Sequence, residues 1–316
     1  MRLLVTGGSG FLGGHVLDQA ARQGHDCFAL ARSPAAAAAV TARGATPLAG
    51  DLNDGDLPEI FASARCEALV NLASLGFGHA PAIVAAAEAA GLDRSVFVST
   101  TAVTTALPAR SVAVRLAAED SVRRGKLSAT ILRPTMIYGA AGDRNMSRLL
   151  ALLASRRVPV LPVPGGGQRL QQPVHVADVA TAVLACVRRR QAAGKRYDVA
   201  GPAPMAFAEL LNIAADAVGA RARLVPVPLG PVVALTRCYE RVSRHPRIRA
   251  EQWQRLAEDK AFPIDAAVRD LGYAPRSFSD GIRAEAAALG LAPPSSSSSR
   301  PSAPLRPSAP LWRNHA

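Results

Sequence analysis

Cysteine, lysine and aromatic side chains are all scarce in this chain of 316 residues. The four cysteines are far apart and form no CxxC pair, so neither a disulfide framework nor a metal site of the usual zinc spacing is expected. No apolar run approaches the roughly 20 residues that span a membrane. Met1 leads directly into a strand-like segment, without the charged and apolar regions of a signal peptide. We therefore expect a cytoplasmic protein with reduced thiols, no metal site and no transmembrane segment.

Acidic residues are outnumbered by basic ones. Lys and Arg total 37 against 24 Asp and Glu, which gives a net charge of +13, and 34 of the 37 are arginine. No basic run is interleaved with aromatic residues and no helix-turn-helix pattern is found, so we predict that nucleic acid is not a partner. One segment, 229–249, joins an apolar half to a half with five arginines. This pattern fits either peripheral contact with an anionic membrane surface or a core-packed helix followed by a solvated basic loop.

Glycine recurs at three-residue spacing near the start of the chain. The apolar run Leu3–Val5 is followed by Gly7, Gly10 and Gly13. A dinucleotide site needs glycine here because the strand turns sharply into a helix, the backbone approaches a pyrophosphate closely and the helix packs tightly on the sheet. The phosphates then bind to free N–H groups at the positive end of the helix dipole. The sequence therefore predicts a dinucleotide-binding turn.

Strand-like and helix-like segments alternate along most of the chain. The strand-like runs are Leu3–Val5, Cys27–Ala31, Thr46–Ala49, Ala68–Leu72, Ser95–Ser99, Thr130–Leu132 and Arg196–Val199, and the strongest helical patterns cover 10–23, 80–90, 111–124 and 177–189. Strands that alternate with helices form a parallel sheet with helices on both faces. The predicted fold class is α/β, a Rossmann doubly wound parallel sheet with a smaller C-terminal α/β substrate lobe.

The pattern becomes less regular, and richer in proline, beyond about residue 140. We predict a Rossmann domain over 1–140 with returning segments at about 170–200, and a smaller lobe over about 141–292. From residue 293 the sequence is almost entirely Pro, Ser, Ala and Arg, which cannot bury enough surface to offset the entropy of ordering. A disordered tail is therefore expected over 293–316.

Eight motifs in order resemble the extended and atypical short-chain dehydrogenases, a superfamily that includes NAD-dependent epimerases and dehydratases of nucleotide sugars. They are VTGGSGFLGG at 5–14, GDLND at 50–54, VNLAS at 70–74, FVSTTAV at 97–103, LRPTMIYG at 132–139, PVHVADVATAV at 173–183, YDVAGPAPMAFAELL at 197–211 and RDLGYAPRSFSDGI at 269–282. The resemblance covers residues 1 to about 290. It is strongest to the atypical branch that contains the dehydrogenase-like accessory subunit of respiratory complex I.

The cofactor site follows from the glycine turn and from this resemblance. The residues expected to bind the cofactor are Gly7, Gly10, Phe11, Leu12, Gly13, Arg32, Ser33, Asp51, Leu52, Leu72, Ala73, Ser74, Arg115 and Pro134. The second strand ends in Arg32 and Ser33, whereas NAD-binding chains commonly place a carboxylate there for the ribose hydroxyl. An arginine and a hydroxyl suit a 2′-phosphate, so NADP is preferred over NAD. Arg32 as a solvated strand end and Asp51 as a turn former remain alternatives.

The catalytic segment departs from the family pattern. Family members that carry out redox chemistry have Tyr-x-x-x-Lys on a helix, and SVAVRLAAE at 111–119 places Ser111 and Arg115 in those positions. An unaided serine hydroxyl is far less acidic than a phenol, and arginine stays charged and cannot relay protons. Thr100 matches the third member of the family's triad, and it fits either a carbonyl-binding role or the end of a strand. Tyr138, after the Pro134 loop, is a candidate for a displaced proton donor.

The substrate side also differs from that of the nucleotide-sugar enzymes. The family's diphosphate-binding arginine is replaced by Gln171, although Arg169 lies two residues earlier, and Asn145 resembles a substrate-side asparagine. His175 is expected to be structural, and Asp178 is expected to cap the following helix.

Two hypotheses follow from these departures. The first is an NAD(P)-dependent epimerase, dehydratase or reductase that acts on a nucleotide sugar or a carbonyl compound. The second is a non-catalytic NADP(H)-binding protein with a structural or assembly role. Either form is expected to be a monomer or a homodimer.

Overall fold

The structure is a computed structural model that describes residues 1–107, 110–139, 142–143, 145–155, 159–243 and 249–293, with only the backbone of residue 110. Residues 294–316, which make up nearly all of the expected tail, lie outside the described residues. No helix in the described ranges is long and apolar enough to cross a membrane.

Seven parallel strands form the main sheet. In chain order they are β1 (Arg2–Thr6), β2 (Asp26–Ala31), β3 (Thr46–Ala49), β4 (Ala68–Asn71), β5 (Arg94–Val98), β6 (Ser128–Pro134) and β11 (Arg196–Val199). Across the sheet the order is β3-β2-β1-β4-β5-β6-β11. The strand order reverses between β1 and β4, and ligands of doubly wound sheets bind at the carboxyl ends of the strands beside such a point. The predicted fold class is confirmed.

Twelve helices surround the described sheets. They are α1 (Phe11–Arg22), α2 (Pro34–Thr41), α3 (Leu57–Ser63), α4 (Ala80–Ala89), α5 (Arg110–Arg124), α6 (Met146–Ala154), α7 (Val176–Arg188), α8 (Phe207–Ala217), α9 (Leu229–Val242), α10 (Ala250–Leu256), α11 (Asp265–Leu271) and α12 (Phe278–Ala288). Buried residues of α1, α7 and α11 pack on one face of the main sheet, and those of α3, α4 and α5 pack on the other.

The central strand shows why these helices cover both faces. Leu3 and Val5 belong to the core beneath α1 and α7, whereas Leu4 belongs to the core beneath α4, and all three are fully buried. Side chains alternate between the faces of a strand, so a continuous apolar run needs cover on each side. The sequence of β1 therefore selects a central, doubly covered position.

The C-terminal part has its own core and smaller sheets. The remaining described strands are β7 (Ile137–Tyr138), β8 (Val160–Pro164), β9 (Leu170–Gln171), β10 (Val174–His175), β12 (Met205–Ala206) and β13 (Arg223–Val227). They pair as β7–β10, β8–β13 and β9–β12. Buried residues of α6, α8 and α12 form the third hydrophobic core. This core supports the lobe that faces the carboxyl ends of β5 and β6.

The prediction that Asp178 caps a helix is wrong. α7 begins two residues earlier, and the Nδ1 atom of His175 caps it by accepting a 3.2 Å hydrogen bond from the N–H of Ala177. Asp178 lies in the first turn, where its carboxylate accepts hydrogen bonds of 2.9 to 3.1 Å from the backbone and guanidinium of Arg276. The partner is 98 positions away in sequence, which is why local pattern did not reveal the pair.

Candidate functional site

The glycine turn after β1 has the geometry that a bound dinucleotide requires. Gly7 has a φ of +72°, and a Cβ there would lie 2.7 Å from the backbone nitrogen of Ala73. A Cβ at Gly13 would overlap the carbonyl oxygen of Gly7 and lie 2.5 Å from that of Gly8. Larger residues are therefore excluded at both positions, and the turn can stay close to a ligand.

The helix after this turn presents its amino end to the same space. Gly10 occupies the N-cap position without a side chain to bond the first N–H groups, and the first turn of α1 holds no acidic residue. The first N–H groups of a helix have no partner within the helix, and they lie at its positive end. This arrangement suits a phosphate group. The residues present thus fit a dinucleotide.

A cleft of about 390 Å³, here called the glycine cleft, opens beside this helix end. Its lining consists of Gly7, Ser9, Gly10, Leu30, Arg32, Ala36, Gly50, Asp51, Leu52, Asn53, Leu72, Ala73, Ser74, Phe77 and His79. The structure therefore brings together eight of the residues predicted from sequence. It also adds Phe77, which is 77% exposed on the loop after β4. The sequence signal that could have identified Phe77 is an aromatic residue between two glycines in a chain with only 4% aromatics.

Arg32 and Asp51 stand at the far end of the glycine cleft, beside a second opening of about 490 Å³ that Ser33 also lines. The carboxylate of Asp51 accepts hydrogen bonds from the backbone and side chain of Asn53, at 3.0 and 2.7 Å. These bonds, with Arg32 nearby, hold the pKa of Asp51 below its usual value. Ser33 caps α2 by accepting from the N–H of Ala36 at 3.2 Å. Within the described residues the guanidinium of Arg32 has no hydrogen bond or ion pair, and so it can meet an anion.

The other residues predicted for the cofactor lie outside the lining of the glycine cleft. Leu12 is buried in the core beneath α1, and Phe11 packs edge-on against His15 with ring centroids 5.7 Å apart. Pro134 is buried at the end of β6, where its carbonyl accepts from the hydroxyl of Thr101 at 3.3 Å. These residues shape the turn and the strand end.

Ser111 and Arg115 lie one turn apart on α5. Arg115 reaches the loop after β4, because a Cβ at Gly76 would lie 3.2 Å from its Cζ atom. Its only hydrogen bond among the described residues is a long one of 3.4 Å, donated to the carbonyl of Ser111. Neither residue lines a described cleft. The positions that the sequence resemblance assigns to a catalytic pair therefore present no activated proton donor to either cleft.

A cleft of about 490 Å³ opens at the carboxyl ends of β5 and β6, against the lobe. We call it the threonine cleft. Its lining consists of Thr100, Thr101, Ala102, Thr104, Thr105, Ala106, Thr135, Met136, Arg169, Arg255, Ala257, Glu258, Asp259, Lys260 and Phe262. Thr100 and Arg169 were predicted from the sequence as site residues. The segment 255–262 was not, although Lys260 is one of only three lysines in the chain.

Most charged groups of the threonine cleft are already paired. Arg169 bonds Asp259 at 3.1 Å, and Arg255 bonds Glu251 at 2.7 Å. The carboxylate of Glu258 accepts from the hydroxyl of Thr105 at 2.6 Å and from a backbone N–H at 2.9 Å. The two arginines of this cleft are therefore poorly available to a diphosphate.

Two side chains of the cleft keep a proton that they can donate. The hydroxyl oxygen of Thr100 accepts a 3.2 Å hydrogen bond from the N–H of Ala102, which leaves its own hydrogen free. In the part of the chain that the structure describes, the ammonium of Lys260 forms no hydrogen bond or ion pair. Burial lowers the pKa of Lys260, Glu258 opposes this shift and Arg255 adds to it. A lysine with a lowered pKa is a better general acid than an exposed one.

Tyr138, which the sequence predicts as a candidate proton donor, lies outside the lining of both clefts. Its side chain is 1% exposed, and its hydroxyl donates to the carbonyl of Phe278 at 3.5 Å. The hydroxyl also fills the space where a Cβ of Gly281 would lie. Burial raises the pKa of Tyr138 above its ordinary value. α12 covers β7 in this way through contacts made 140 positions away in sequence.

Two residues predicted for the substrate lie away from the threonine cleft. Gln171 is 95% buried on β9, and its carboxamide nitrogen has no hydrogen-bond acceptor among the described residues. Asn145 is exposed just before α6, where its backbone N–H donates to Asp143 at 2.6 Å. The lining therefore gives neither of them a direct contact with a ligand in this cleft.

Residues 7–190 match the family model that describes NAD(P)H-binding proteins. The match covers more than half of the chain, and the chain belongs to this NAD(P)H-binding family. It is an extended short-chain dehydrogenase/reductase, a class of NAD(P)-dependent oxidoreductases and epimerases, and its cofactor is NAD(P).

Three relatives are similar to this chain. A 4-hydroxy-2-methyl-3-oxo-4-farnesyl-3,4-dihydroquinoline-1-oxide ketoreductase of Stigmatella aurantiaca is 28% identical over 316 residues, 87% of this chain and 92% of the relative. Ceramide reductase of Caulobacter vibrioides is 30% identical over 236 residues, 71% of this chain and 73% of the relative. The mitochondrial NADH dehydrogenase (ubiquinone) 1 alpha subcomplex subunit 9 of Arabidopsis thaliana is 32% identical over 155 residues, 48% of this chain and 38% of the relative. The resemblance to the complex I branch is thus confirmed.

Proposed function

We propose that the protein is an NAD(P)H-dependent ketoreductase that reduces the carbonyl group of a lipophilic substrate bound in the threonine cleft. The observation that carries the proposal is that Thr100 and an unpaired Lys260 line one cleft at the carboxyl ends of β5 and β6. β5 pairs with β4, which pairs with β1, so the cleft is at the same carboxyl edge of the sheet as the glycine turn.

The roles of the two side chains follow from the charge that develops on the substrate. A reduced nicotinamide, when bound, supplies the hydride to the carbonyl carbon. The hydroxyl of Thr100 then donates a hydrogen bond to the carbonyl oxygen, and the ammonium of Lys260 transfers a proton to it. The product is an alcohol, and the neutral amine regains its proton from water. Ser111 has no part in this proton transfer.

The charges of the threonine cleft favour an uncharged ketone over a nucleotide sugar. Its two arginines are paired with Asp259 and Glu251, and Gln171 offers no positive charge. A diphosphate would have to separate these ion pairs. Two relatives that span most of the chain are named as reductases of a farnesyl-bearing ring ketone and of a ceramide, which are lipophilic molecules.

The proposal is tested with the purified full-length chain, NADPH and three sets of compounds: long-chain ketones, short-chain ketones and nucleotide sugars. We expect NADPH oxidation only with the ketones, together with an equal amount of alcohol. Oxidation with nucleotide sugars alone would contradict the proposed substrate class. The preference for NADPH over NADH is a proposal too, and it rests on the unpaired Arg32.

A second candidate is a non-catalytic NADP(H)-binding protein with a structural or assembly role. Ser111 and Arg115 in the family's catalytic positions favour it, as does the similarity to the complex I subunit of Arabidopsis thaliana. Tight NADPH binding without turnover of any of the three sets would support this candidate. The cytoplasmic location and the monomeric or dimeric state remain predictions in both cases.

A further inference from the structure

Helix α9 has an apolar face that packs on nothing in the described chain. Leu235 is 74% exposed and Val242 is 86% exposed, and Pro231 and Cys238 are exposed beside them. These four residues recur at three- and four-residue spacing, so they form one stripe along the helix. We call it the α9 stripe. None of the residues of α9 is buried.

The opposite face of α9 holds the helix to the protein. The hydroxyl oxygen of Thr236 accepts from the indole N–H of Trp253 at 3.0 Å, and the carboxylate of Glu240 accepts from the N–H of Ala250 at 3.2 Å. Both donors belong to α10. The orientation of the helix is therefore fixed, and the α9 stripe faces outward.

Positive charge accompanies the stripe. Arg237 and Arg241 are exposed on α9, and the sequence from 237 to 249 contains five arginines and a single acidic residue, Glu240. The carboxylate of Glu240 is already bonded to α10. This surface thus combines exposed apolar side chains with uncompensated cations, which is the composition of helices that lie on anionic membranes.

Charge also decides between the possible occupants of the stripe. The tail at 294–316 contains three arginines and no acidic residue, and a second copy of the chain carries a net charge of +13. Both would be repelled by the arginines of α9. An anionic lipid surface would instead be attracted by each arginine near it.

The position of α9 connects this surface with the threonine cleft. Leu229, the first residue of α9, lines a small cavity of about 170 Å³ with Arg169 and Ala257. Arg169 and Ala257 also line the threonine cleft. The first turn of α9 therefore lies beside the threonine cleft.

We propose that α9 docks the protein on an anionic membrane surface, with the α9 stripe inserted among the lipids and Arg237 and Arg241 at the phosphate groups. A docked protein could take up a lipophilic ketone directly from the bilayer into the threonine cleft, and this benefit rests on the proposed function. The docking itself does not depend on the proposed function.

The test is co-sedimentation of the full-length protein with vesicles of phosphatidylcholine alone or of phosphatidylcholine with phosphatidylglycerol. We expect binding only to the anionic vesicles. The double variant Leu235→Ser/Val242→Ser should lower the partition coefficient at least tenfold. The matched control is Leu152→Ser/Val268→Ser, because these residues are 44% and 46% exposed on other helices, and it should bind as the parent does.

The charge of α9 is tested separately with Arg237→Gln/Arg241→Gln, which should also lower binding at least tenfold. Arg148→Gln/Arg190→Gln removes the same charge from other exposed positions and should bind normally.

Four results would overturn the proposal: no binding to anionic vesicles, equal binding to neutral ones, normal binding by the stripe variant, or a stripe-dependent dimer in light scattering. Reduction of a short-chain ketone without vesicles reports on the proposed function alone, so the two failures can be distinguished.

Discussion

The buried imidazole of His175 makes the stability of the protein depend on pH, and its replacement by asparagine should remove that dependence. The side chain is 8% exposed, and burial, with Arg276 adding to the effect, lowers its pKa from 6.5 to about 4. The nearby carboxylate of Asp178 opposes the shift, but Arg276 neutralises it through the ion pair. The folded protein thus keeps His175 neutral at a pH where the unfolded chain binds a proton.

The sign and size of the effect follow from these two pKa values. The contribution of His175 to stability is fully present above pH 6.5 and is lost as the pH falls toward 4, because only the unfolded state takes up the proton. At pH 5 the gap of about 1.5 pH units from the unfolded pKa corresponds to about 2 kcal/mol. Between pH 8 and pH 5 the free energy of unfolding of His175→Asn should therefore fall by about 2 kcal/mol less than that of the parent. Asparagine is also a good N-cap, so the start of α7 should be preserved.

The assay is urea unfolding at the two pH values, followed by circular dichroism and without added nucleotide. His79→Asn, the same substitution on the loop before α4, is the control and should keep the pH dependence of the parent. If His175→Asn and the parent lose the same free energy of unfolding between pH 8 and pH 5, then His175 is not held neutral by its surroundings and the reasoning fails.

Three further predictions concern the two clefts. Gly13→Ala should weaken NADPH binding at least tenfold in a fluorescence titration, because the added methyl group overlaps the turn. The control is Gly55→Ala, which should bind NADPH normally because a Cβ there meets no atom within 4 Å. Equal affinities of the two variants would refute the close approach of the turn to the cofactor. Arg32→Ser should lower the affinity for NADPH about tenfold and leave that for NADH unchanged, and an equal loss of both would speak against a 2′-phosphate contact. Lys260→Met should lower kcat on the order of 10²-fold, and the fall of activity expected at high pH, where Lys260 loses its proton, should disappear. Lys126→Met, at an exposed lysine, should change neither property. A Lys260→Met variant with the parent's activity would exclude Lys260 as the proton donor.

Local sequence sufficed to predict the parallel sheet and the glycine turn after its first strand. The strand from Arg2 to Thr6 pairs with distant strands, but its apolar run and the glycines after it are residue types that a short window of sequence contains. The helix predicted over 177–189 begins only one residue earlier, at Val176. Apolar runs and turn glycines are the features that short windows of sequence record best.

The substrate half depends on contacts that no short window contains. Thr105 meets Glu258 across 153 positions, and this contact holds the segment with Lys260 against the end of β5. The hydroxyl of Tyr138 bonds the carbonyl of Phe278 at the start of α12, 140 positions later, and so the side chain does not face the site. The side chain was a plausible proton donor by its place in the loop after Pro134. Packing of α12, which the local pattern does not contain, decides its role.

The resemblance that aligns Ser111 and Arg115 with the family's Tyr-x-x-x-Lys pair implies a different route for the proton. A guanidinium at position 115 can hold a ribose hydroxyl or a phosphate, but arginine does not replace lysine in proton relay. Proton transfer must then come from another wall of the site, or it does not occur. Lys260 lines the threonine cleft together with Thr100, and this favours the proposed ketoreductase over the non-catalytic alternative.

The measurement that tests the ketoreductase most directly is the transfer of deuterium from NADPH labelled at C4 of the nicotinamide to a long-chain ketone, followed by mass spectrometry of the alcohol. We expect one deuterium on the former carbonyl carbon with the parent protein and with Lys126→Met, and a rate on the order of 10²-fold lower with Lys260→Met. The proposed ketoreductase activity would be contradicted if NADPH stays bound and keeps its label while no alcohol forms from any ketone offered. The protein would then be one that holds its cofactor without using it.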